Sequence, residues 1–188
     1  MKVGVIGAGA WGTALAVVSA RGGSDVILWS YDGAFKEFDG VDMPENLTIT
    51  NDMSELGKCD AWLIVTPAAF FRETLRKAKL FYKNQPIIVC TKGAESSTGD
   101  FMSEIISTEM PEVTDYGVLS GPQFAAEVAR GVPTGSTLAG NSKAVEAGKL
   151  ILNKLYINPS DDVVGAEICG VGKNAVALIC GYNSIAAG

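Results

Sequence analysis

Residues 1–12 of the chain read MKVGVIGAGAWG, and they carry the strongest indication of fold class in the sequence. The apolar run Val3–Ile6 predicts a buried strand, because short continuous apolar runs of this kind are typical of parallel sheets. A glycine-rich turn follows, and residues 13–21 then have the apolar composition of a buried helix, which Gly22-Gly23 would end. The stretch therefore predicts a strand, a tight turn and a helix in succession.

The three glycines of this turn, Gly7, Gly9 and Gly12, have the spacing G-x-G-x-x-G of dinucleotide-binding units. Gly7 would make the turn, Gly9 would let the backbone approach a pyrophosphate, and Gly12 would let the helix pack on the strand. The free amides at the start of the helix would face the phosphates. Asp32 follows a second buried strand at residues 26–29, where an acidic residue would bind the adenosine ribose. We predict a dinucleotide site; a plain strand–turn–helix is the alternative.

The composition limits the function classes. The chain has 188 residues, 47% of them hydrophobic, which is enough for one sizeable core. A net charge of −6 argues against a nucleic-acid surface, since phosphate contacts need clustered Lys and Arg. No apolar stretch reaches the roughly 18 residues of a membrane span. Because the chain has no histidine, a general acid or base must be Lys, Asp, Glu, Tyr or Cys.

The four cysteines, Cys59, Cys90, Cys169 and Cys180, show no C-x-x-C and no metal-like spacing. They lie in or beside apolar segments, so we predict reduced core residues and no metal site. Reduced cysteines indicate a cytoplasmic compartment.

Strands and helices alternate along the chain. We predict strands at 47–50, 61–65, 86–90, 116–119, 137–139 and 155–158, helices at 53–56, 68–80, 100–109, 123–130, 143–153 and 161–188, and a short helix or loop at 33–47. In the helix 68–80, Phe71, Leu75 and Ala78 share one face. The alternation predicts an α/β, Rossmann-like, mostly parallel, doubly wound sheet. Lys92 directly follows the strand 86–90, at the sheet edge where ligands bind; a solvated surface lysine is the alternative.

Five segments together resemble the NAD(P)-dependent glycerol-3-phosphate dehydrogenases of the soluble bacterial type. They are GAGAWGTALA at 7–16, VILW at 26–29, TKG at 91–93, SGPQFAAEVA at 120–129 and GKN at 172–174. They occur in the family's order across the whole chain. The first is shared by many dehydrogenases, and the fourth with its downstream Lys-Asn is far more specific.

The resemblance implies hydride transfer between NAD(P)H and dihydroxyacetone phosphate, which gives sn-glycerol 3-phosphate for glycerophospholipid synthesis. It also implies a small phosphorylated substrate and, at full length, a homodimer. Lys173 would be the catalytic general acid/base and would bind substrate together with Lys92, Gly121 and Gln123. The dinucleotide would contact Ala10, Trp11, Tyr31, Lys92 and Ala125, in addition to the three glycines and Asp32.

The lysine assignment agrees with the chemistry. Reduction of a ketone leaves negative charge on oxygen, so a cation must stabilise it and a proton must reach it. The pKa of Lys173 would have to fall below about 10.4, through burial, a helix N-terminus or a second lysine. The chain departs from the family's pattern at two places. It has Gln123 where relatives have Ser or Thr, and it has the glycines of Gly170-Val171-Gly172 before the lysine. No arginine follows Trp29 to bind a 2′-phosphate, so Asp32 favours NAD over NADP.

Family members carry a second, helical domain after the catalytic lysine, with an Arg-Asn motif that binds the substrate phosphate. We expect residues 1–160 to form the dinucleotide-binding domain and 161–188 to begin the helix that leads to the absent domain. Full turnover is then expected to require that domain. Two other hypotheses are a related lysine-based ketopantoate or β-hydroxyacid reductase and a non-catalytic dinucleotide-binding module.

Overall fold

The computed structural model describes residues 1–186, and only the backbone at 174, 175, 177, 181 and 183–186. The described residues form one eight-stranded sheet flanked by helices. The strands are β1 (Lys2–Ile6), β2 (Asp25–Trp29), β3 (Leu47–Thr50), β4 (Ala61–Ile64), β5 (Ile87–Val89), β6 (Tyr116–Ser120), β7 (Gly135–Gly140) and β8 (Tyr156–Ser160). The α-helices are α1 (Ala10–Arg21), α2 (Ala68–Ala78), α3 (Met102–Glu109), α4 (Ala125–Arg130), α5 (Ser142–Ile151) and α6 (Val163–Ala186). Two 3₁₀ helices span Met53–Lys58, where a helix was predicted at 53–56, and Lys79–Phe81.

The strand order is β3-β2-β1-β4-β5-β6-β7-β8, and of these pairs β6 and β7 run antiparallel while the others are parallel. The chain moves from β1 to β2 and β3 on one side and then crosses to β4 on the other. At this reversal the connections that follow β1 and β4 run toward opposite edges of the sheet. They therefore leave a crevice between them at the carboxyl ends of these strands. The predicted doubly wound, mostly parallel sheet is confirmed.

Alternate strand residues supply two separate cores, one on each face of the sheet. Val3 and Val5 pack with apolar residues of α1, α4 and α5. Trp62 and Ile64 pack on the opposite face with residues of α2, α3 and the start of α6, including the predicted face of α2 around Phe71. The sheet is therefore buried on both sides, which explains the continuous apolar runs of its strands.

The predicted boundaries shift by one to three residues in several elements. The largest difference near the site is α1, which begins at Ala10 and not at residue 13. The glycine turn is so tight that Gly9 already caps the helix, and Gly12 belongs to its first turn. Residues 30–46 contain no helix or strand, so of the two options for 33–47 the loop is correct.

The cysteine prediction is half wrong. Cys59 and Cys90 are buried as predicted, but Cys169 and Cys180 are exposed. Both lie on α6, which packs on the sheet near its beginning and exposes most of its described apolar side chains further along. An apolar helix composition therefore did not mean burial within residues 1–186. The side chain of Ile185 and residues 187–188, which were assigned to this helix, lie outside the described part.

The sheet ends with β8 at Ser160, and the next element begins at Val163. The division of the chain at residue 160 stays a prediction. Among the described residues, no helix combines the length and the apolar character that crossing a membrane requires.

Candidate active site

A cleft of about 1250 Å³ opens at the carboxyl ends of β1, β2, β4 and β5. It contains the glycine turn, the ends of the neighbouring strands and two lysines from distant parts of the sequence, Lys92 and Lys173. Of the residues predicted from the sequence, those in its lining are Gly7, Gly9, Ala10, Trp11, Gly12, Tyr31, Asp32, Lys92, Gln123, Ala125 and Lys173. Gly121 is outside the lining and contacts the site through Lys92.

The glycine turn holds α1 against the end of β4. Gly7 has a φ of +115°, which disfavours a side chain, and a Cβ there would lie 3.0 Å from the amide nitrogen of Thr66. A Cβ on Gly12 would lie only 1.8 Å from the carbonyl oxygen of Gly7. A Cβ on Gly9, in contrast, would meet no atom within 4 Å. The space above Gly9 is therefore open to a ligand at the amino end of α1.

Three polar atoms of the cleft residues are buried without a hydrogen-bond partner among the described residues. They are the indole nitrogen of Trp11, the hydroxyl of Thr66 and the amide oxygen of Gln123. Buried polar groups in proteins are nearly always paired, so an unpaired one needs an explanation. All three atoms are candidates for contact with a bound polar ligand. Thr66 was not predicted, although its place directly after β4 is the same signal that singled out Lys92.

Asp32 stands at one end of the cleft. Its carboxylate accepts hydrogen bonds from the amide of Ala34 at 3.0 Å and the hydroxyl of Ser30 at 3.1 Å. These bonds, the one from Ala34 first, lower the pKa of Asp32, so the group is ionised at neutral pH. Tyr31 beside it is exposed and has the ammonium of Lys77 5.8 Å from its ring centroid.

Lys92 and Lys173 form the cationic end of the cleft. The Lys92 ammonium donates a hydrogen bond to the carbonyl of Gly121 at 3.0 Å and lies 5.2 Å from the ring centroid of Trp11. Burial, and then the neighbouring charge of Lys173, lower the pKa of Lys92 to about 8. Burial and a neighbouring lysine thus lower the pKa of Lys92.

This pKa predicts a pH dependence of stability. The folded pKa of Lys92, about 8, lies below the ordinary 10.5, so between these values the unfolded chain holds the proton and the native chain releases it. Raising the pH through this window should therefore stabilise wild type relative to Lys92→Met, by about 1 to 2 kcal/mol. Urea unfolding at pH 7.5 and 10 measures the difference. Lys149→Met on the exposed side of α5 is the control, and an equal pH response in both variants would contradict the prediction.

Gln123 is held by the protein itself. Its amide nitrogen donates a hydrogen bond to the carbonyl of Gly135 at 2.7 Å and contacts the hydroxyl of Ser136, both on β7. Its amide oxygen is buried and has no partner within the described structure. The oxygen is thus the atom of Gln123 left for a substrate. The side chain of Asn174, which follows Lys173 in the family motif, lies outside the described residues.

A third face of α2 lines the cleft and was missed. The sequence analysis singled out only the core face of this helix, but a further face lines the cleft and comprises Phe70, Glu73, Thr74 and Lys77. Their spacing of i, i+3, i+4 and i+7 marks a helix face. The sequence contained this signal, but its mixed composition gave no reason to prefer it.

Among the described residues, no group of three or more His, Cys, Asp or Glu could hold a metal ion.

With this geometry in view, comparison with known proteins decides the family. The family model described as the N-terminus of NAD-dependent glycerol-3-phosphate dehydrogenase matches residues 2–146. The chain belongs to the NAD-dependent glycerol-3-phosphate dehydrogenase family. The resemblance drawn from the five sequence segments is confirmed. Membership favours a glycerol-3-phosphate dehydrogenase over a ketopantoate or β-hydroxyacid reductase and over a non-catalytic dinucleotide-binding module.

Relatives in this family are similar over nearly the whole chain. The glycerol-3-phosphate dehydrogenase [NAD(P)+] of Paramagnetospirillum magneticum is 40% identical over 96% of the chain and 70% of its own length. That of Parvibaculum lavamentivorans is 38% identical over 96% of the chain and 58% of its own length. The crystal structure of the Coxiella burnetii glycerol-3-phosphate dehydrogenase superposes with a TM-score of 0.82 at 32% identity, over 90% of this chain and 56% of that one. The chain thus spans 56–70% of the length of these three relatives.

Proposed function

We propose that this chain is the cofactor-binding part of an enzyme that interconverts dihydroxyacetone phosphate and sn-glycerol 3-phosphate with NAD(P)H. The observation that carries the proposal is the meeting of the glycine turn with Lys92 and Lys173 in one cleft. The glycine turn alone would suit any dinucleotide-binding protein. Two adjacent lysines add a proton donor and a cation, which the reduction of a ketone needs. Family membership supports the same conclusion.

The cleft residues fit a dinucleotide. The open space above Gly9 and the free amides of α1 suit a pyrophosphate, and the ionised Asp32 suits ribose hydroxyls. The unpaired indole N–H of Trp11 adds a further donor in the same cleft. The bound nicotinamide supplies the hydride in reduction and accepts it in oxidation.

The lysines would handle the proton and the charge. When the ketone carbon receives a hydride, its carbonyl oxygen becomes an alkoxide, and the Lys173 ammonium donates the proton that completes the alcohol. Lys92, held by the carbonyl of Gly121, would stabilise the developing negative charge and bind the substrate. In the oxidation direction neutral Lys173 accepts the alcohol proton. The two ammonium groups also offset the charge of a phosphorylated substrate.

The same proposal includes finer points that follow from the family resemblance and the composition. They are a preference for NAD over NADP, a cytoplasmic location, and a homodimer at full length. Of these, the NAD preference has a local basis, because the carboxylate of Asp32 would repel a 2′-phosphate. Lys36 and Lys77 also line the cleft and would oppose this preference.

A cofactor titration tests the proposal. NADH and then NADPH are added to the chain while tryptophan emission is followed, since Trp11 lines the cleft beside Lys92. We expect saturable quenching with NADH, weaker binding of NADPH, and a roughly tenfold smaller difference in Asp32→Asn. Asp25→Asn, an exposed change outside the cleft lining, is the matched control.

Adding dihydroxyacetone phosphate to the NADH-saturated chain should give a second saturable change in emission. This change should be absent in Lys92→Met, because that lysine joins Trp11 to the proposed substrate position. Absence of quenching with either nucleotide would overturn the proposal, and tighter NADPH binding would overturn the ribose role of Asp32.

A further inference from the structure

A buried carboxylate anchors the helix that carries Lys173. Glu167 lies on α6 and is 6% exposed. Its two oxygens accept hydrogen bonds from the amide of Ser103 at 2.9 Å and from the hydroxyl of Ser103 at 2.6 Å. The proposed reaction uses neither residue. A buried charged group with both oxygens bound by one partner therefore needs its own explanation.

Ser103 lies in the first turn of α3, so its amide is one of those left free at a helix start. The carboxylate of Glu167 thus meets the positive end of α3 as well as a hydroxyl donor. Burial raises the pKa of Glu167 above its ordinary value, and the two bonds from Ser103 oppose the rise. The charged groups that face it are Glu104 of α3 and, across a small shared cavity, Lys92.

This anchor lies close to the contact between α6 and Lys92. Gly170, one turn after Glu167, is so near the site that a Cβ would lie 3.5 Å from the Ser120 hydroxyl and 3.9 Å from Cγ of Lys92. Glu167, Gly170 and Lys92 also line one cavity of about 10 Å³. Lys173 follows Gly170 by three residues, about 4.5 Å along the helix axis. The bonds to Ser103 therefore lie within two helical turns of the point where Lys173 meets Lys92.

We propose that Glu167 is a positioning residue, which holds α6 on α3 and thereby sets the spacing between Lys173 and Lys92. The inference rests on the proposed function for what the lysine pair does. A direct electrostatic effect of the carboxylate on Lys92 is the competing account. The two accounts predict opposite changes in the pKa of Lys92 when Glu167 is replaced, so an experiment can separate them.

The test follows the titration of the Lys92 side chain by NMR in the chain, with the signal assigned through Lys92→Arg. Ser103→Ala removes the hydroxyl bond and keeps the amide bond, and Glu167→Gln replaces one accepting oxygen by a nitrogen that cannot accept and removes the charge from the other bond. If Glu167 sets the spacing, both variants weaken the attachment of α6 to α3 and let Lys173 move away from Lys92. The pKa of Lys92 should then rise from about 8 toward its ordinary 10.5. Under direct electrostatics Glu167→Gln should lower that pKa, because a nearby negative charge is lost, and Ser103→Ala should leave it unchanged.

Ser107→Ala is the matched control, since it removes a hydroxyl one turn along α3 that bonds to the carbonyl of Ser103 and not to Glu167. Near-UV circular dichroism checks that each variant is folded, and Ser103→Ala, which keeps the carboxylate, decides the outcome if Glu167→Gln does not fold. An unchanged or lowered Lys92 pKa in folded Ser103→Ala overturns the proposal. NADH affinity should stay within about twofold in these variants, because neither residue lines the cleft. If wild type binds no NADH but the pKa of Lys92 rises in the two variants, the proposed function is overturned and this inference stands.

Discussion

Replacing Gly12 by alanine is expected to lower the free energy of unfolding by about 3 kcal/mol or more and to remove NADH binding. The added Cβ would lie 1.8 Å from the carbonyl oxygen of Gly7, and that oxygen belongs to backbone that cannot rotate away. Gly7 is itself held by a hydrogen bond from its amide to the carbonyl of Trp29 at 3.0 Å. Relief of the clash must therefore move α1 or the whole turn.

Gly9→Ala is the matched comparison for this change. Its Cβ would meet no protein atom within 4 Å, and the extended backbone at Gly9 accepts alanine. Its stability should stay within about 0.5 kcal/mol of wild type. Its NADH affinity should still fall about tenfold or more, because the new methyl group occupies the space proposed for the pyrophosphate. Urea unfolding and tryptophan titration of both variants provide the test. Equal stability losses in the two variants, or wild-type NADH affinity in Gly9→Ala, would contradict the account of the turn.

In a chain extended by the second, helical domain that the family resemblance implies, Lys173→Met is expected to reduce the rate of NADH oxidation with dihydroxyacetone phosphate by at least about 100-fold. General acid catalysis contributes on the order of 10² to 10⁴ in rate, and methionine of similar length has no proton to donate. The rate is measured by absorbance at 340 nm under saturating substrate and is compared with wild type under identical conditions. Lys173 lines the cleft but does not belong to the glycine turn. The NADH affinity of Lys173→Met should therefore change much less than its rate.

Lys149→Met carries the same charge change on the exposed side of α5 and should keep the wild-type rate. Lys173→Arg keeps the positive charge, but arginine is almost never deprotonated, so it should not restore proton transfer. A wild-type rate in Lys173→Met would exclude this residue as the proton donor. Restoration of the rate in Lys173→Arg would indicate that charge alone is needed.

Much of the fold could be predicted because its signals are local. The apolar runs around Val3, Trp62 and Ile88 indicate strands buried on both faces, and the intervening amphipathic segments indicate the covering helices. Cys169 was predicted to lie in the core and is exposed, so local signals did not determine its burial. An apolar stretch predicts that a helix would gain from burial, but whether another element covers it depends on packing far along the chain.

The candidate site divides in the same way. Gly7, Gly9, Gly12 and Asp32, which line the cleft, could be predicted from spacing alone, because a tight turn and a strand end have local requirements. The Lys92–Lys173 pair, the cleft face of α2 and the bond from Ser103 to Glu167 join residues far apart in the chain, and no local pattern reports such distances.

The mostly parallel sheet, the glycine turn and the family could be inferred from the sequence without the structure. The sheet follows from short apolar runs, the turn from the spacing of three glycines, and the family from five segments in a fixed order. The lowered pKa of Lys92 and the bonds from Ser103 to Glu167 emerge only once the chain is folded. The physical reason is that burial and charge repulsion depend on the environment of Lys92, and this environment is assembled from β5, β6 and α6, which lie far apart in the chain.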